Sequence, residues 1–292
     1  MDEKNKKLNL LDVGIPIFNE ENHLLKTLKN LSSIKNKKVR FLISDNSSND
    51  KSSIICKKIS KKDKRFKYYY QKKKISSFQN FNYIFKKSNS KYFIWNSGHD
   101  LRSKNFLQDC IKKMEMNNDI ALCYSTTKII GKKELKIINI ENQLKANNFF
   151  NIFSFFYNLN YNYQVYGMFR SKILNKTQLF PNFIGGDICL IKEIAFLGKI
   201  CKLKTKSFTS LRIDDFGDWN EYVNKHLNSS KKINFFKDYF LSQLINQMKI
   251  IKKYNKNIFY FIFYFFLIFF KLIKNLIYIY YARIKKSDKK IY

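Results

Sequence analysis

The sequence predicts an α/β fold built on a mostly parallel sheet with helices on both faces, and three observations carry that expectation. Short apolar runs at 12–18, 39–44, 66–70 and 91–95 alternate with helical patterns at 20–33, 51–62 and 78–88, the rhythm of βαβ units. Three of the apolar runs stop at polar or acidic residues, and open α/β sheets bind ligands at the carboxyl ends of their strands. The chain has 292 residues, enough for one large domain or for one domain with an appendage.

Taken in order, the first strand runs through Val13, Gly14 and Ile15 into Pro16-Ile17-Phe18-Asn19-Glu20-Glu21. The helix after it is the clearest of the set. Asn19 suits its cap, Glu20 and Glu21 favour the positive end of its dipole, and Leu24, Leu28 and Leu31 share one face. The second strand ends in Ser44-Asp45-Asn46-Ser47-Ser48-Asn49-Asp50, and the run Tyr92–Trp95 ends in Asn96-Ser97-Gly98-His99-Asp100. Ile120–Tyr124 reads as a strand returning to the sheet. Phe149, Phe150, Ile152, Phe153, Phe155, Phe156 and Tyr157 form an aromatic cluster that suits either core filling or contact with a lipid-linked molecule. Composition breaks near residue 216, and no glycine follows Gly217. The expected division is therefore 1–104, 105–215 and a helical region 216–292.

Several of these segments resemble family 2 glycosyltransferases of the GT-A fold. Pro16–Glu20 is similar to the family's Pro-x-Tyr-Asn-Glu, Ser44–Asp50 to its Asp-Asp-Gly-Ser-x-Asp, and Gly98-His99-Asp100 sits where its Asp-x-Asp metal motif belongs. Tyr166–Arg170 and Gly185–Ile194 resemble acceptor-side segments of one branch, so the likeness covers roughly residues 11–215. It implies a GT-A-like, Rossmann-type sheet whose first part, 1–104, binds a nucleotide sugar and whose second, 105–215, binds the acceptor.

The resemblance also implies a chemistry. Transfer from a nucleoside-diphosphate sugar builds negative charge on the leaving diphosphate, which a divalent cation, Mg²⁺ or Mn²⁺, stabilises. Asp100 matches the metal ligand, with Gly98 and His99 standing where the family has its first acidic and central residues. Asp45 would receive the base or ribose, Pro16, Phe18 and Glu20 would shape the same pocket, and His99 would meet a ribose or phosphate oxygen or the metal. Asp187 would be the general base of an inverting reaction. Members of the branch carry Arg-x-His after the next strand; Leu211–Phe216 offers Arg212 for the diphosphate and Asp214, in place of His, for the metal. On residue type alone each also has a plainer reading: Asp45 in a turn, Asn19 and Glu20 at a helix start, Asp100 and Asp187 as caps.

Charge and cysteines bound the alternatives. Lys and Arg number 56 against 22 Asp and Glu, a net charge of +34 that invites an anionic partner. The excess is mostly Lys, accompanied by abundant Ile, Asn, Phe and Tyr, the output of an A+T-rich coding sequence, and no nucleic-acid module is recognisable. A nucleic-acid-binding protein therefore ranks below a transferase working in cell-surface polysaccharide synthesis. A catalytically silent nucleotide-binding scaffold stands between them, because of Gly98 and Asp214. Five cysteines with no Cys-x-x-Cys pair, and a charged start without an apolar core, fit a cytoplasmic location.

From Ile258 to Phe270 thirteen consecutive residues are apolar or aromatic, about 20 Å of helix against roughly 30 Å of hydrocarbon. Its continuation to Tyr281 carries Lys271, Lys274 and Asn275 on one face, so a helix of about 257–286 lying in the plane of the membrane's inner face is expected. Tyr278, Tyr280 and Tyr281 beside Arg283, Lys285 and Lys286 suit an anionic lipid interface. A buried hairpin in a homodimer is the competing reading.

Overall fold

The computed structural model describes residues 9–130, 135–138, 143–146, 148–159, 163–211, 223–224, 226–228 and 236–288. Its first half is the expected alternation: β1 (Asn9–Ile17), α1 (Glu21–Ser32), β2 (Val39–Asp45), α2 (Ser52–Lys62), β3 (Phe66–Tyr70), α3 (Ser77–Lys86) and β4 (Ser90–Trp95). These strands pair in parallel in the order β3-β2-β1-β4, with Ile17 level with Asp45 and Asp45 level with Tyr70, so β1, β2 and β3 end together at one edge.

The chain continues through β5 (Asp100–Arg102), α4 (Lys104–Met116), β6 (Ile120–Ile130), β7 (Leu135–Ile138), α5 (Phe149–Asn158), a 3₁₀ turn (Tyr163–Tyr166), β8 (Met168–Arg170), α6 (Ser171–Leu174), α7 (Gly186–Leu197) and β9 (Lys199–Ser210). It closes on a π-helical turn (Phe236–Leu241), α8 (Ser242–Tyr254) and α9 (Ile258–Asp288). Beyond β4 the sheet turns mixed: β8 lies antiparallel to β4 and β6, β9 parallel to β6, and β5 antiparallel to β9.

Strand alternation sorts the core into two layers. Leu11, Val13, Ile15 and Ile17 of β1, with Tyr92 and Ile94 of β4, meet Leu24, Leu28 and Leu31 of α1 and Phe106, Cys110 and Met114 of α4. On the other face Phe93 and Trp95 meet Ile84 and Phe85 of α3, and that cluster runs on through α5, α7, α8 and α9. Gly14 makes the second layer possible, because a Cβ there would lie 2.4 Å from the Phe93 ring.

The aromatic cluster of α5 fills the core with part of its residues and leaves others at the surface. Ile152, Phe155 and Phe156 are buried, whereas Phe150 and Tyr157 are 78% and 60% exposed. The C-terminal helices do not form a core of their own among the described residues. Met248, Ile251, Tyr264, Ile268 and Leu272 pack into the α5–α7 cluster, and Phe149 stacks on Tyr260 at 4.0 Å.

One local expectation is corrected. Asn19 does not cap α1: it sits at φ 53, outside the helix, and its Oδ1 accepts from the Asn49 N–H at 3.0 Å. Glu20 takes the cap position without a side-chain cap bond, and its own N–H donates to Ser52 Oγ at 2.9 Å. Asn is among the residues that tolerate the left-handed region, and here it serves a long-range contact instead.

Candidate functional site

The loops after β1 and β2 are laced into one wall. The Asn19 N–H donates to Ser48 Oγ, Glu21 N–H to Asp50 Oδ2, and Lys51 N–H to Glu21 Oε2, all within 3.0 Å. Ser48 and Asp50 thus satisfy backbone donors at the start of α1, and Asp50 Oδ1 accepts the Ser52 N–H inside α2.

Asp45 stands at the end of β2, fully buried, taking the Ser48 N–H at 2.9 Å and the Tyr68 hydroxyl at 2.8 Å. Beside it, Ser44 Oγ donates to Asn80 Oδ1, while Asn46 makes two bonds to the Ile75 backbone and holds the 71–76 loop against the strand ends. Pro16 is buried near the end of β1, level with Ser44. Phe18, half-buried, carries the Lys74 ammonium 4.0 Å above its ring.

Glu20 reaches across to His99. Both carboxylate oxygens lie 3.1 Å from Nδ1, and since a carboxylate only accepts, Nδ1 carries the proton. This contact accounts for the glycine at position 98. A Cβ on Gly98 would stand 2.9 Å from Glu20 Cγ and 3.0 Å from Ile17 Cγ2, so the space of the family's first acidic side chain is held by Glu20. We expect Gly98→Asp to cost about 1–3 kcal/mol in thermal denaturation by overpacking, and to leave Mn²⁺ affinity unimproved. Tighter Mn²⁺ binding by a fully stable variant would refute this reading.

Asp100 opens β5 and is 2% exposed. Its Oδ2 accepts the Ser97 N–H at a long 3.4 Å, and its buried Oδ1 has no hydrogen-bond partner among the described residues. Among the described residues no three His, Cys, Asp or Glu side chains gather into a metal cage. A single free carboxylate oxygen nevertheless fits a divalent cation that draws its other ligands from a bound diphosphate and water.

Of two further neighbours of Asp100, Arg102 was not singled out from sequence and Tyr166 only as the start of a segment resembling the acceptor side. Arg102, two residues along the same strand face, is wholly buried and donates to Asn96 Oδ1 at 3.0 Å, Tyr166 O at 2.9 Å and Trp95 O at 2.7 Å. Burial pulls its pKa down to about 10 against the opposing charge of Asp100. Tyr166 lies 3.4 Å from Ser97 Oγ through its hydroxyl. Its pKa is raised by burial and then by the negative charge of Asp100, with a further push from Asp187. The two carboxylates therefore share one electrostatic neighbourhood around this ring.

Asp187 is half-buried in the first turn of α7, whose cap is Gly185 at φ 92, and its Oδ1 accepts the Ile188 N–H at 2.8 Å. Of the sequence-derived candidates, the structure brings Glu20, His99 and Asp100 together, sets Pro16, Phe18 and Asp45 on the adjoining wall, and leaves Asp187 near enough to Tyr166 for its charge to act on that hydroxyl. β9 delivers the chain to Leu211, whose N–H donates to His99 O at 2.9 Å; Arg212 and Asp214 lie outside the described residues.

A family model described as glycosyl transferase family 2 matches residues 12–177. Among solved structures, the chain is similar to residues 1–349 of TarS from S. aureus in complex with UDP-GlcNAc, with a TM-score of 0.63 and 15% identity, covering 84% of this chain and 67% of that one. The longer S. aureus TarS structure gives 0.56 and 14%, and there the chain spans about half of its relative, 48%. The mannosyltransferase PcManGT from Pyrobaculum calidifontis, in complex with GDP-Man and Mn²⁺, gives 0.52 and 11%, over 83% of this chain and 72% of that one. No curated protein sequence matches. At such identities the structural likeness establishes the fold, which is GT-A.

Proposed function

The chain belongs to glycosyl transferase family 2, and from that premise we propose that it is an inverting, divalent-metal-dependent enzyme. It would move a sugar from a nucleoside-diphosphate sugar to a glycan or lipid-linked acceptor of cell-surface polysaccharide. The observation that carries this reading is the contact of Glu20 with His99, next to Asp100, at the carboxyl ends of β1 and β4, with Asp45 at the end of the neighbouring β2, all within the family match.

In this mechanism the nucleotide lies along the wall made by Pro16, Phe18 and Asp45, with the Asp45 carboxylate accepting from the base or ribose. His99, oriented by Glu20 through Nδ1, presents its other ring nitrogen to a ribose or phosphate oxygen. Asp100 Oδ1 would hold Mg²⁺ or Mn²⁺, with Asp214 as a second ligand assigned on sequence alone, and the ion would supply a countercharge for the leaving diphosphate. Arg212, likewise assigned on sequence, meets the diphosphate. Asp187 takes the proton of the acceptor hydroxyl as that oxygen attacks the anomeric carbon from the face opposite the leaving group. Release of nucleoside diphosphate from a donor panel tests the transfer, and the anomeric configuration of the product, read by NMR, tests inversion. Binding of a donor without turnover in the presence of glycan acceptors would favour the scaffold reading.

We further assign α9 to the cytoplasmic face of a membrane. Its segment Ile258–Ile277 is long and apolar enough to cross a bilayer by length and composition. One stripe of it, Tyr264, Ile268 and Leu272, is instead docked in the protein core, while Phe259, Phe263, Phe266 and Phe270 face outward. A helix docked on an α/β domain by one stripe, with its other face outward, suits a position in the interface, with the outward face in the headgroup region. Deleting residues 255–292 would strip the core, so exposed positions give the cleaner test. Phe259→Glu with Phe270→Glu, the two most exposed of these rings, is expected to weaken co-sedimentation with anionic vesicles by roughly tenfold or more at unchanged thermal stability. Undiminished sedimentation with a change in oligomeric state would favour the homodimer.

A further inference from the structure

Beneath the turn that carries Asp187 runs a buried, directional chain of hydrogen bonds. The Lys192 ammonium of α7 donates to Gln247 Oε1 of α8, Gln247 Nε2 donates to Gln243 Oε1 at 2.7 Å, and Gln243 Nε2 donates to the Ile184 carbonyl at 2.9 Å. All three side chains are buried. Each amide accepts on one side and donates on the other, so the chain is polarised along its length towards the peptide that joins Ile184 to Gly185.

The fit at its end is close. Gly185 adopts φ 92, and a Cβ on it would lie 1.5 Å from Gln243 Nε2, so the glutamine amide fills the space under the turn that the glycine leaves. The Lys192 ammonium is 4.8 Å from the Phe156 ring, and burial, then the charge of Lys271, lowers its pKa to about 7. Three buried polar side chains where Leu or Met would pack cost desolvation, and such groups are tolerated when every member is satisfied. The proposed reaction leaves this chain unused, and α8 lies outside the residues that match the family.

We propose that Gln243, backed by Gln247 and Lys192, is a positioning residue: it fixes the Ile184–Gly185 peptide and thereby the direction in which Asp187 points. The C-terminal helical region is then part of the transfer site as well as its membrane contact. This rests on the reading of Asp187 as the general base.

The test uses full-length protein with Gln243→Met and Gln247→Met, which keep side-chain volume and remove the amide, beside Asp187→Asn. Hydrogen exchange of the backbone amides 185–189 needs no substrate: exchange faster by roughly tenfold or more in Gln243→Met, at little change in thermal midpoint, supports the proposal. Turnover is read as release of UDP from UDP-GlcNAc and of GDP from GDP-Man, the donors bound by the structural neighbours. Where either is consumed, kcat is expected to fall roughly 10–100-fold with the donor KM nearly unchanged, and Gln243→Met is expected to add little to Asp187→Asn. Unchanged exchange at 185–189 overturns the proposal, as does undiminished kcat in Gln243→Met while Asp187→Asn is inactive. An active Asp187→Asn beside an impaired Gln243→Met overturns the base reading instead and leaves the turn positioned for another group. If Gln243→Met fails to fold, Gln247→Met carries the same comparison from one bond further away.

Discussion

Asp187→Asn is expected to lower turnover by roughly 10²–10⁴-fold while leaving the fold and donor binding intact. The asparagine retains a side-chain oxygen to accept the Ile188 N–H, and Gly185 rather than Asp187 occupies the cap position. The helix therefore loses little. What disappears is the ability to accept a proton, so the loss belongs in kcat and not in donor affinity or thermal midpoint. A variant that keeps wild-type turnover would return Asp187 to the plainer reading of a residue at a helix start. A variant that loses stability together with activity would show that its structural contact outweighs its chemistry.

Arg102→Met is expected to destabilise the protein by about 3–5 kcal/mol, the usual cost of breaking a buried charged network by removing one partner. The arginine donates to three oxygens: those of Trp95 on β4, Asn96 in the loop that follows, and Tyr166 before β8. Methionine leaves all three without that donor and Asp100 without the nearby positive charge. Lysine, which lacks the planar fork, is expected to recover only part of the loss. Urea denaturation measures both. Combining Arg102→Met with Asp100→Asn is expected to cost less than the sum of the single changes, because the neutral amide no longer needs a countercharge. A loss under about 1 kcal/mol for Arg102→Met would mean that Asp100 is held by something other than this network.

The parts of the molecule legible in the sequence are those with a local period. Leu24, Leu28 and Leu31 mark the buried face of α1 by spacing alone, and the apolar runs fix β1, β2 and β4 to within a few residues because these three strands are buried on both faces. Segments whose partners lie far along the chain carried no such signal. Glu20 and His99 are 79 residues apart, Arg102 and the Tyr166 carbonyl 64, and no pattern near either end announces the pairing. Gly98 read from sequence as a damaged metal motif; in the fold it is the residue that leaves room for Glu20. The aromatic run of α5 was ambiguous because it belongs to core and surface at once. No local pattern marks Gln243, Gln247 and Lys192 as a buried set, and only the docking of α8 on α7 turns them inward.

The most direct test of the donor site is a thermal-shift titration with a panel of nucleotide sugars, with and without Mn²⁺, on wild type and Asp100→Asn. A ligand that binds the native state raises its apparent stability, by about 2.7 kcal/mol at a hundredfold excess over Kd. The account predicts that one donor stabilises the wild type, more strongly with Mn²⁺, and that Asp100→Asn loses the metal-dependent part. A folded wild type that responds to no donor, with or without metal, would contradict it.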